Sequence, residues 1–89
     1  MKTVHLLIIG KVQGVFFRAT ASENANSLGL KGWVANTEAN SVEMIVTGEP
    51  EPIEKIIEWC HKGPVAAKVE EVNEKEIPLQ TFNDFIIKK

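Results

Sequence analysis

The sequence predicts an α+β sandwich, with two helices on one face of a small antiparallel sheet. Three observations predict it. Apolar and polar residues alternate with period two at Val4 to Ile9, Lys31 to Asn36 and Ser41 to Thr47. Two stretches with helical apolar spacing separate them in the order β-α-β-β-α. The 89 residues, 44% hydrophobic and 25% charged, suit one core and a single domain over residues 1–89.

The first strand sets Val4, Leu6 and Ile8 against His5, Leu7 and Ile9. His5 marks the wetter face, so the first set should face the core. The first helix is expected from Arg18 to Leu28, with Phe17, Ala21, Ala25 and Leu28 on one side. Asn24, Asn26 and Ser27 are poor helix formers, so packing must hold it. Gly29 follows at the usual stop position. Lys31 to Asn36 is the second strand and Ser41 to Thr47 the third. Thr37-Glu38-Ala39-Asn40 joins them as a hairpin loop in which Asn40 can take a positive φ. Pro52 suits the first turn of a second helix reaching Lys62, with Ile53, Ile56, Ile57 and Cys60 as its buried stripe. Gly63 and Pro64 end it.

Val65 to Ile77 stays open between helix and strand. Val65, Val69 and Val72 keep helical spacing, and a strand needs a bulge between Val69 and Val72 to place both inside. Phe82 to Ile87 reads as a short final strand. Completed by a further strand, the order is the split β-α-β pattern of ferredoxin-like sandwiches. The crossover rule makes the first and second strands parallel, with the third between them. The loop after the first strand, Arg18 and Asn36 then converge at one edge of the sheet.

Composition excludes several functions. A net charge of −2 and a pI near 5.7 argue against a nucleic-acid surface. The open sheet face, expected to show His5, Leu7, Ile9, Glu43, Ile45 and Thr47, carries no aromatic residue for base stacking. Cys60 is the only cysteine and reads as a core residue. His5 and His61 lie on different elements without a ligand cluster, so no metal site is expected. No apolar run is long enough for a membrane span or a signal core, so a cytoplasmic location is expected. Trp33 and Trp59 read as packing residues, and Glu70 to Glu76 as a solvated face or protected edge. Leu7, Ile9 and Ile45 offer only a weak patch for self-association, and a monomer is expected.

The segment Gly10-Lys11-Val12-Gln13-Gly14-Val15-Phe16-Phe17-Arg18 carries the chemistry. A strand, a glycine-bracketed loop and an arginine at a helix start describe an anion cradle, and phosphate is its commonest occupant. A guanidinium binds a phosphoryl group through paired hydrogen bonds. Asn36 can position a water through its carboxamide. No strong nucleophile or tuned base accompanies them, so the substrate must already be activated. A carboxylic–phosphoric mixed anhydride fits that requirement. The rival reading is a binding module that senses a small anion without turning it over.

These residues resemble the acylphosphatase family. Gly10 to Arg18 is similar to its phosphate-loop signature, and Gly32-Trp33-Val34-Ala35-Asn36-Thr37 to its second signature. The likeness extends through Ser41-Val42-Glu43, Gly48, Gly63-Pro64 and Phe85. It implies hydrolysis of a small-molecule acyl phosphate without metal or organic cofactor. It implies that Arg18 binds the phosphate, that Asn36 orients water, and that amides from Val12 through Gln13, Gly14 and Val15 to Phe16 complete the cradle. Thr37 is implied as a supporting residue, and Val65 to Ile77 as a strand. The hairpin departs from the family's common Asp-Gly with Ala39-Asn40, and Ala21 stands where some members carry a hydroxyl residue.

Overall fold

A computed structural model of the chain describes residues 1–88. The elements are β1 (Lys2–Lys11), α1 (Phe17–Ser27), β2 (Lys31–Asn36), β3 (Val42–Gly48), α2 (Pro50–Lys62), β4 (Lys68–Ile77) and β5 (Phe85–Lys88). They form one sheet of order β4-β1-β3-β2-β5. β1 and β2 both pair antiparallel with β3, so they are parallel to each other across it. The expected crossover topology is therefore present.

The core lies between the sheet and the two helices. Val4, Leu6 and Ile8 of β1, Val34 of β2, and Val42, Met44 and Val46 of β3 are buried on one side. Phe17, Ala21 and Ala25 of α1 meet them, as do Ile53, Ile56, Ile57 and Cys60 of α2. Phe17 also packs on Trp59, with ring centroids 5.0 Å apart. This contact joins the helices at the start of α1 and holds its first turn in place. Asn40 adopts φ 62°, so the hairpin closes with asparagine in the left-handed conformation.

Val65 to Ile77 resolves into a turn followed by edge strand β4. The register with β1 shifts between Ile9 and Gly10: Ile9 pairs with Glu71 and Gly10 with Val69, leaving Glu70 as the extra residue. The bulge turns Val69 and Val72 to the same side, where both pack on the core. Gly10 has φ 137° here, and a Cβ on it would collide with the Lys68 carbonyl oxygen. Glu70, Glu71, Glu74 and Glu76 are exposed on this edge strand, where charge opposes pairing with another chain.

Two expectations are corrected. The sheet is mixed, because β5 pairs parallel with β2. β4 runs down to the end of the sheet where β1 and β2 begin, and residues 78–84 cross that end. A strand starting there beside β2 can only run parallel to it. Thr47, expected on the open face, is buried because this crossing covers it. Thr47 Oγ1 donates to the Gln80 carbonyl oxygen at 2.8 Å, and the Gln80 amide donates to Thr3 Oγ1 at 2.8 Å.

Candidate active site

The loop between β1 and α1 is pinned from below. Val12 and Val15 are buried, while Gly14 and Phe16 face outward. Gly14 has φ 73°, and Phe16 has φ 63° and ψ 23°. Left-handed residues at such spacing turn neighbouring amides toward one concavity. At Phe16 this conformation costs about 1–2 kcal/mol relative to an ordinary backbone. Phe16 is nevertheless 81% exposed. Among the described residues, no amide from Val12 to Phe16 donates to another protein group.

The start of α1 breaks the usual electrostatic rules. Phe16 at the N-cap offers no capping side chain, and the first turn contains no acidic residue. The first bond that closes the helix runs from the Thr20 amide to the Phe16 carbonyl oxygen at 3.1 Å. The amides of Phe17, Arg18 and Ala19 thus lack an intrahelical acceptor. Arg18 then adds a cation to the positive end of the helix dipole. It has no carboxylate within ion-pair distance among the described residues. α2 does the opposite, with proline and Glu51 in its first turn and His61 and Lys62 in its last.

Asn36 ends β2 at the same edge of the sheet, two residues beyond Val34 and on the same helix-covered face. α1 starts at that edge too, and it packs over β2 and β5. The Asn36 side chain is exposed and bonds to no protein group among the described residues. Gln13 ties the loop to this strand: its Nε2 donates to the carbonyl oxygens of Thr37 and Ser41, both at 2.9 Å. Thr37 Oγ1 accepts the amides of Ala39 and Ser41, each at 3.2 Å, and so rigidifies the hairpin.

An open cavity of about 370 Å³ lies beside Arg18, lined also by Gly14, Phe16, Ala19 and Ile87. Ile87 stands opposite Val34 in the β2–β5 register, hence on the same face as Asn36. Of the expected site residues, the cavity gathers Gly14, Phe16 and Arg18. Gln13 and Thr37 are joined by a hydrogen bond, and Asn36 shares the sheet edge without being among the residues that line the cavity. Val12 and Val15 act as anchors through their side chains, leaving only their amides for a ligand. Sequence reasoning missed two features: the side-chain clamp of Gln13, and Ile87 from β5.

Titratable groups elsewhere do not join this site. His5 Nε2 lies 2.7 Å from Glu43 Oε2 on the open face of the sheet. Burial pushes the Cys60 thiol from its ordinary 9.0 up to about 12. Among the described residues no group of three or more potential ligands gathers to hold a metal ion. No described helix is long and apolar enough to cross a membrane.

The acylphosphatase family model matches residues 4–87. The chain is 49% identical over 82 residues to an acylphosphatase from Marinobacter nauticus, covering 91% of this chain and 89% of that protein. Its structure is similar to an acylphosphatase from Coxiella burnetii, with TM-score 0.95 and 39% identity over 98% of this chain and 92% of the other. It is also similar to an acylphosphatase from Bacillus subtilis, with TM-score 0.96 and 28% identity over the full length of both.

Proposed function

Because the chain belongs to the acylphosphatase family, hydrolases of acyl phosphates, we propose that the end of β1 and the start of α1 form its phosphoryl site. Arg18 and the amides of Val12, Gln13, Gly14, Val15 and Phe16 hold the phosphoryl oxygens. Asn36 orients a water for attack, and Thr37 holds the hairpin beside it. The water oxygen bonds to phosphorus as the bond from phosphorus to the acyl oxygen breaks. The carboxylate leaves with the electron pair, and the water protons pass to the phosphate product and to solvent. Its negative charge disperses without a protein acid, which suits a site with no general acid or base. The catalytic contribution is positioning and charge stabilisation in a preset frame. On this reading a monomeric domain acts in the cytoplasm on a diffusible acyl phosphate.

The observation that carries the proposal is the anion-seeking end of α1. Among the described residues, amides and a guanidinium without protein partners gather there, at some cost to the unliganded fold. Phosphate release from benzoyl phosphate by wild type and Arg18→Ala tests it, with and without EDTA. Wild type is expected to turn over equally in both, and the variant to lose about a hundred- to a thousandfold in kcat/KM. Equal rates for the two proteins would refute the assignment.

A further inference from the structure

We propose that Phe16 and Ile87 form a binding site for the acyl group, giving the enzyme a preference for acyl phosphates with bulky apolar or aromatic acyl parts. The inference rests on the phosphoryl site described above. Six large hydrophobic side chains are exposed in the described structure: Met1, Phe16, Val65, Leu79, Ile86 and Ile87. Two of them, Phe16 and Ile87, come from distant parts of the chain and line the same cavity as Arg18.

The geometry restricts what can lie there. A phosphoryl group held by Arg18 and the loop amides fills the polar end of the cavity. The acyl group is joined to it through one oxygen, so it must leave through the remaining opening. Beyond Gly14 and Arg18, the cavity is lined by Phe16, Ala19 and Ile87. Its volume of about 370 Å³ exceeds what a phosphate alone occupies. Phe16 is also held in a left-handed conformation that asparagine or glycine would adopt at lower cost. A ring placed there and left uncovered is a strained, solvent-facing feature of the unliganded enzyme, and an apolar acyl group would cover it.

The readout is a specificity ratio, kcat/KM for benzoyl phosphate over kcat/KM for acetyl phosphate, measured on one preparation. Dividing the two cancels any loss of folded enzyme. Ile87→Ser is expected to lower the ratio about fivefold and Phe16→Asn about tenfold, in proportion to the apolar surface each removes. Asparagine tolerates the left-handed backbone, so the amide at position 16 keeps its place. Ratios within twofold of wild type for both variants overturn the acyl site. Arg18→Ala separates this failure from that of the phosphoryl site. If acetyl phosphate hydrolysis survives in Arg18→Ala, the phosphoryl site lies elsewhere and the acyl site falls with it. If that variant is inactive while the two ratios stay unmoved, only the acyl site is lost.

Discussion

Gln13 donates from Nε2 to the Thr37 carbonyl oxygen at 2.9 Å, joining the loop after β1 to the residue that follows Asn36. A second bond from the same nitrogen reaches the Ser41 carbonyl oxygen, so one carboxamide spans both sides of the hairpin. The loop that should hold the phosphoryl group and the strand that should hold the water are thereby fixed to each other. In-line attack needs both at a set separation, and small displacements are costly in rate. Gln13→Ala should therefore lower kcat by about 10- to 100-fold with a smaller change in KM. Losing the two bonds should also lower unfolding free energy by about 1–3 kcal/mol. Steady-state kinetics beside urea unfolding checks both. A destabilised variant with wild-type kcat would make the clamp purely structural.

Arg18 sits where a cation weakens a helix, which gives a prediction of opposite sign for stability and function. Arg18→Ala should unfold at slightly higher urea without phosphate, by about 0.3–1 kcal/mol, since it removes positive charge from the positive end of α1. With phosphate present the order should reverse. Wild type should gain about 2.7 kcal/mol at a hundredfold excess over Kd, and the variant should gain almost nothing. Denaturation of both proteins with and without phosphate measures this crossing. A variant stabilised by phosphate as much as wild type would place the anion elsewhere.

The placement of these residues on the fold was largely legible in the sequence because the signals are local. Two glycines, an arginine at a helix start and an asparagine at a strand end are visible as residue types. The order of elements brings them to one edge. Residues whose roles depend on distant partners were not legible. Val69 and Val72 share a helical spacing, and only the register shift against Ile9 and Gly10 makes a strand of them. Ile87 looked like the end of a short strand. Its place beside Arg18 follows from the path of residues 78–84 beneath Thr3 and Thr47, which sets β5 parallel to β2. Gln13 offered no sign that its side chain would turn into the hairpin.

Asn36 carries the complementary prediction. Its side chain is exposed and makes no bond among the described residues, so Asn36→Ala should retain the wild-type melting temperature. It should lose about 10²- to 10³-fold in kcat, as expected when a single polar positioning group is removed. The inhibition constant for inorganic phosphate should stay within about threefold of wild type, because the cradle is intact. Weakened phosphate inhibition with unchanged kcat would instead make Asn36 a ligand for the anion.

Cys60 gives a pH-dependent prediction remote from the chemistry. It is fully buried on the inner stripe of α2, and burial raises its thiol from 9.0 to about 12. The folded protein therefore holds this proton more tightly than the unfolded chain does. The thiol's contribution is fully present below about pH 9 and is lost as pH rises toward 12, where the unfolded state ionises first. Wild type should lose stability more steeply than Cys60→Ala across that interval. The chain has no tyrosine, so lysine is the main other group titrating there, and it is common to both proteins. Thiol reagents should label native Cys60 only as fast as the protein opens, and urea should accelerate labelling. Parallel stability curves from pH 8 to 11, together with rapid labelling of the native enzyme, would show that α2 does not keep this thiol from water.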